Sequence, residues 1–128
     1  MTKLAVNLSM IFTEVPLLER FALAQTAGFK HVEIQFPYEL SIEQIQTQLT
    51  LHDLSLCLIN VPAGDLMTGG NGLTGVPGKE LEFHRALQLA VQYASALKVP
   101  SVNILAGKQP LDADPVSYTH LRAHETPE

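Results

Sequence analysis

Four side chains combine a chemical type with a place where it could serve a reaction: Asn7, Asn60, Asp65 and Lys108. Asn7 and Asn60 stand at or near the ends of two apolar runs, KLAVNL (3–8) and LSLCLIN (54–60). A carboxamide there can hydrogen-bond a substrate hydroxyl, or it can cap the next turn in an Asx role. Asp65 is the single acid of the glycine-rich stretch 61–78. It could orient an arginine from elsewhere, or it could hold a turn. Lys108 follows another apolar run, SVNILA (101–106), and its ammonium suits a substrate carboxylate or open solvent. Phe36, with Pro37 and Tyr38, would wall a binding mouth with apolar surface. Glu33 alternates with Val32 and Ile34, so one face of that segment carries a charge that needs a partner if it looks inward. Cys57 lies inside an apolar run and reads as a core thiol rather than a nucleophile. His31, His52 and His84 read as surface residues. His120 and His124 are four apart and could share a helix face as metal ligands, but solvated histidines are the simpler reading.

The totals exclude several classes. The chain has 128 residues, 46% hydrophobic and 16% charged, with a formal charge of −5. That is enough length for one core, and too apolar for a disordered chain. The acidic balance leaves no electrostatic footprint for a nucleic acid. No run of about 18 apolar residues is present to span a bilayer. The opening MTKLAVNLSMIF reads as a first strand rather than a signal peptide. One cysteine excludes a disulfide framework and makes a reducing cytoplasm the simplest setting. Walker loops, Gly-x-Gly-x-x-Gly turns and paired zinc ligands are absent from the sequence.

The elements that must position these side chains alternate. Residues 3–8, 31–36, 54–60 and 101–106 read as strands. Leu17, Leu18, Phe21, Ala24 and Ala27 recur at helical spacing over 16–27, with Pro16 at the first helical position and Gly28 just past the end. Ser41 and Gln44 form a reciprocal cap for a helix over 41–52, whose buried face is Ile42, Ile45 and Leu49. Residues 79–98 form the longest helix, with a stripe of Leu81, Ala86, Leu87, Ala90, Val91 and Ala94. Alternating strands and helices imply an α/β fold with a parallel sheet, either open and doubly wound or part of a (β/α)8 barrel. In both, function lies in the loops at the carboxyl ends of the strands. These are residues 9–13, 36–40, 61–78 and 107–114; the return turns at 28–30 and 52–53 are short. Loop 61–78 is several times the usual ~2–6 residues, which suits a lid or binding loop as well as a plain insertion.

At these loops the sequence resembles a known family. NLSMIF (7–12), GF-x-x-VEIQFPYE (28–39), NVPAGD (60–65), PGKELEFHRAL (77–87) and VNILAGK (102–108) together resemble the hydroxypyruvate isomerases and the related 2-oxo-tetronate isomerases. That family belongs to the xylose-isomerase-like (β/α)8 TIM barrels. It usually carries arginine where Asn71, Lys79 and His84 stand here. The resemblance implies residues 1–115 as the first four βα units, the amino-terminal half of such a barrel, with parallel strands. Residues 116–128 then read as a non-native tail resembling adapter read-through. It further implies isomerisation of a small 2-oxo or hydroxy acid, hydroxypyruvate to tartronate semialdehyde, through an enediol. Two glutamates and a divalent metal, Mg or Mn, would do that work from strands five to eight. No catalytic or metal-binding residue is therefore expected in this chain, which alone should be inactive. Asn7, Phe36, Asn60, Asp65 and Lys108 remain as candidate substrate-binding residues. The expected partners are the substrate and further copies of a full-length protein, with neither nucleic acid nor membrane. Two alternatives stand beside this reading: another sugar isomerase, epimerase or endonuclease-like barrel of the superfamily, or a non-catalytic half-barrel acting by assembly.

Overall fold

The computed structural model describes residues 4–106. Lys108, loop 107–114, His120, His124 and the stretch 116–128 lie outside the described residues. Within them, four parallel strands run in the order β1 (Ala5–Asn7), β2 (His31–Ile34), β3 (Ser55–Asn60) and β4 (Ser101–Asn103). Helices α1 (Leu17–Thr26), α2 (Ile42–Leu51) and α3 (Glu80–Leu97) connect them in turn. Each strand is hydrogen-bonded to its neighbour in sequence, and each helix packs on the next, α1 on α2 and α2 on α3. A doubly wound sheet reverses its strand order partway. This sheet does not, and its unbroken order is that of successive units of a (β/α)8 barrel.

The core lies between the sheet and the helices. Val6, Val32, Ile34, Leu56 and Ile59 point from the strands onto Phe21 and Ala24 of α1, Ile45 and Leu49 of α2, and Tyr93 and Leu97 of α3. Phe21, Ala24, Val32, Ile45 and Ile59 are wholly buried. The α3 stripe differs from the sequence expectation. Leu81 and Val91 are 63% and 52% exposed, while Tyr93 and Leu97 turn inward with Ala86 and Ala90. At 100° per residue, 86, 90, 93 and 97 share one face, and 81 and 91 lie well over a right angle from Ala86. A broad apolar stripe concealed which part of it faces the sheet.

Helix ends follow local chemistry. Ser41 Oγ accepts from Gln44 N–H at 3.0 Å and Gln44 Oε1 accepts from Ser41 N–H at 2.9 Å, a complete capping box. Ser41→Ala is expected to lower stability by about 1 kcal/mol, read by urea unfolding. Pro16 is the N-cap rather than the first helical residue. Gly28, at φ +96°, ends α1 in the left-handed region that only glycine enters freely. All four strands are shorter than their apolar runs, β3 by a single residue. β2 stops at Ile34 because Pro37 opens a 3-10 turn, Pro37–Glu39, and cannot donate to the ladder. No helix among the described residues is long and apolar enough to cross a membrane.

Candidate functional site

Beyond Ile34 and Ile59, which face the helices, the pleat turns the next residue to the other side of the sheet. That residue is Gln35 after β2 and Asn60 in β3. Asn60 is opposite Asn103 in β4, and Asn103 Nδ2 donates to Asn60 Oδ1 at 3.2 Å. Gln35 N–H donates to Ser9 Oγ at 2.8 Å, and Asn60 N–H donates to Gln35 C=O at 2.8 Å. Ser9 Oγ, the Gln35 backbone and the carboxamides of Asn60 and Asn103 are therefore linked in one polar row across the carboxyl ends of the four strands, and the pleat turns Asn60 away from the helices. One layer below, Asn7, Glu33, Leu58 and Ser101 stand in register.

The candidate side chains fall in different settings. Asn60 is 6% exposed and belongs to the row. Asn7 Oδ1 accepts from Ser9 N–H at 2.9 Å, an Asx turn that shapes the β1 exit and so positions Ser9. Phe36 is half-buried at the mouth. Its neighbours Pro37 and Tyr38 go further in: Pro37 is buried, and Tyr38 packs edge-on to Tyr93 with ring centroids 5.0 Å apart. Tyr38 O–H donates to Asn60 C=O, and Tyr93 O–H donates to Leu40 C=O at 2.7 Å. Burial, with Tyr93 close by, pushes the Tyr38 hydroxyl's pKa upward, so it remains a donor. The tyrosine pair fastens the β2 exit loop to the end of β3.

Asp65 organises its own loop. Its Oδ1 accepts from Gly72 N–H at 3.0 Å, and its carbonyl accepts from Thr68 and Gly70 N–H. Gly70 lies so close that a Cβ there would sit 2.0 Å from the Asp65 carboxyl carbon. Past this ring, Leu73 is buried with Val61, Ala86, Ala90 and Ile104, and Thr74 bridges Ala106 in parallel fashion. Loop 61–78 is thus anchored at its base and in its second half. Met67, at the tip of the loop, is exposed.

Ser9, Gln35 and Asn103 were not singled out from sequence. The signal available was a repeated step from a buried aliphatic to a polar residue at a strand end, in IQ, IN and VN. Arg20 carried no such signal. From α1 its guanidinium donates to Leu8 C=O at 2.7 Å and Val15 C=O at 2.8 Å, tying down both ends of the β1 exit loop. A cavity of about 680 Å³ opens at the opposite end of the sheet, beside His31, Thr50, Asp53, Ser55 and Lys98. Short return turns flank it, and fold logic places chemistry at the other end. Burial, aided by Glu33, pushes the nearby Cys57 thiol up, which makes it a poor nucleophile.

Known proteins resemble this chain closely. It is 42% identical over 118 residues to a 2-oxo-tetronate isomerase from Haemophilus influenzae, covering 92% of this chain and 46% of that protein. It is 41% identical over 110 residues to a hydroxypyruvate isomerase from Escherichia coli, covering 86% and 43%. A crystal structure described as an AP endonuclease, family 2, from Brucella melitensis superposes with a TM-score of 0.84 at 36% identity, over 97% of this chain and 48% of that one. A putative xylose isomerase from Rhodospirillum rubrum, at 17% identity and TM-score 0.59, shares the fold. No family model matches. The chain spans about half the length of the curated relatives it matches.

Proposed function

We propose that this chain, a homologue of the hydroxypyruvate and 2-oxo-tetronate isomerases along about nine-tenths of its length, supplies the substrate-holding part of such an isomerase. The reaction is interconversion of hydroxypyruvate and tartronate semialdehyde, or of a related 2-oxo acid, through an enediol. The observation that carries this reading is the polar row Ser9, Gln35, Asn60 and Asn103 at the strand ends. Neutral hydroxyl and carboxamide groups can hold the oxygens of a small hydroxy-carbonyl acid in one orientation. Their fixed dipoles also favour negative charge as it develops on those oxygens.

Moving a proton between adjacent carbons also needs an acid and a base within reach of them. Among the described carboxylates at this end, Asp65 is committed to its loop, Glu33 lies a layer below the row, and Glu39 ends the 3-10 turn of the β2 exit loop. On this reading the described part of the chain binds and orients the substrate. The family resemblance implies a divalent metal, but no group of three or more His, Cys, Asp or Glu among the described residues could hold one. The residues present do not fit that ion, and no step assigned to them runs through it. The endonuclease description of the Brucella relative points to another substrate. A formal charge of −5 and a row of neutral side chains do not suit a phosphate backbone.

The 128-residue chain, given hydroxypyruvate and Mg or Mn, is expected to bind the acid without isomerising it. Tartronate semialdehyde appearing above the uncatalysed rate would overturn this division of labour. Failure of the chain to bind any 2-oxo acid would overturn the reading itself.

A further inference from the structure

We infer that Arg20 is a positioning residue for the Ser9 hydroxyl: from α1 it fixes the Leu8–Ser9 peptide, and through that peptide it sets Ser9 to donate to an oxygen of the bound acid. This rests on the functional reading above and adds to it how one member of the row is held and what that member does.

The peptide between Leu8 and Ser9 is gripped at both of its polar atoms. Its C=O accepts from Arg20 Nη1 at 2.7 Å, and its N–H donates to Asn7 Oδ1 at 2.9 Å. One step earlier, Leu8 N–H donates to Glu33 C=O at 2.8 Å. A peptide group is planar, so holding its oxygen and its N–H fixes the plane. That plane sets the direction in which the Ser9 side chain leaves the backbone. The Ser9 hydroxyl then accepts from Gln35 N–H at 2.8 Å. A hydroxyl also has one hydrogen of its own to donate. Ser9 is half-buried, and that hydrogen meets no acceptor among the described residues. It is left for an oxygen of the ligand.

The β1 exit loop needs such a brace. Met10 and Ile11 N–H both donate to Asn7 C=O at 3.1 Å, which turns the chain sharply after Ser9. Phe12 follows at φ +61°, a conformation that bulky residues rarely adopt. Met10 and Ile11 are exposed at the tip. Arg20 Nε donates to Val15 C=O at 2.8 Å, so one guanidinium spans the loop from its first peptide to its last. Among the described residues no carboxylate pairs with Arg20, and its charge acts on these two carbonyls, which strengthens both bonds. A lysine keeps the charge but loses the rigid fork that reaches both carbonyls at once.

The test is a double-mutant cycle on the 128-residue chain, with hydroxypyruvate affinity read by NMR titration and folding checked by urea unfolding. Ser9→Ala is expected to weaken binding about fivefold, the equivalent of one ordinary hydrogen bond. Arg20→Lys is expected to weaken it about threefold or more in the parent chain, and to cause no further loss in the Ser9→Ala background. An equal loss in both backgrounds would show that Arg20 merely supports the loop and would overturn the inference. So would an unchanged affinity in either single variant, and in both cases the functional reading stands. If the unsubstituted chain binds no 2-oxo acid, both fall. A second measurement needs no variant to fold. In the ¹⁵N-labelled unsubstituted chain, the Arg20 Nε–H is expected to exchange with water far more slowly than that of a free arginine, and the Ser9 and Gln35 amides are expected to shift as hydroxypyruvate binds. An Nε–H exchanging as freely as in free arginine, or bound ligand that moves neither amide, also overturns the inference.

Discussion

Phe21→Ala is expected to destabilise the chain by about 3–5 kcal/mol, a large share of the roughly 5–15 kcal/mol that holds a domain folded. Phe21 has no exposed surface, and it fills the space where α1 meets the sheet beside Val6, Val32 and Ile45. Removing the ring loses its transfer free energy and leaves a cavity that strands on one side and α2 on the other cannot close. Leu81→Ala is the control. It removes an apolar side chain of similar kind at a position 63% exposed, and is expected to change stability by less than about 0.5 kcal/mol. Urea unfolding monitored by circular dichroism gives both values. A Phe21→Ala chain as stable as the parent would show that the sheet–helix interface is not the core.

Gly70→Ala carries the second large effect. Its Cβ would lie 2.0 Å from the Asp65 carboxyl carbon, so the carboxylate must leave its place and give up the Gly72 N–H. Losing that charge-assisted bond costs about 1.5–3 kcal/mol. Asp65→Ala should cost a similar amount for the same reason. In the double variant the clash has no target, so Gly70→Ala should then cost little beyond Asp65→Ala itself. The coupling between the two substitutions is the diagnostic, because independent sites would add. Additive costs would show that Asp65 does not organise residues 65–72.

Much of this architecture was legible because it rests on local chemistry. Ser41 and Gln44 announce a capping box, Gly28 announces a left-handed helix end, and the alternation of strands with helices announces a parallel sheet. Periodicity alone left open the choice between a doubly wound sheet and a barrel, because it does not encode which strands become neighbours. Pairing in the order β1-β2-β3-β4 supplies that. The site was legible only in part. Asn60 stood out as a polar residue closing a long apolar run, but Gln35 and Asn103 lie inside the runs HVEIQF and SVNILA, among other polar residues. Their significance is tertiary: register places them beside Asn60. The role of loop 61–78 was hidden for a similar reason. Its glycines advertise freedom, whereas Leu73 and Thr74, which hold it down, look like ordinary loop residues until the fold brings Ala86 and Ala106 to them.

We propose that this sheet end holds the substrate of a 2-oxo acid isomerase. Joining residues 1–106 to the part of the Haemophilus influenzae relative that follows its counterpart of residue 106 tests this proposal most directly. The folded chimera is then assayed on hydroxypyruvate and 2-oxo-tetronate by proton NMR in D₂O. Isomerisation is expected, with solvent deuterium entering the carbon that receives the proton, and with Asn60→Leu and Asn103→Leu each lowering kcat/KM by about tenfold or more. A folded chimera that turns over neither acid would contradict the account, as would one that both asparagine substitutions leave unaffected.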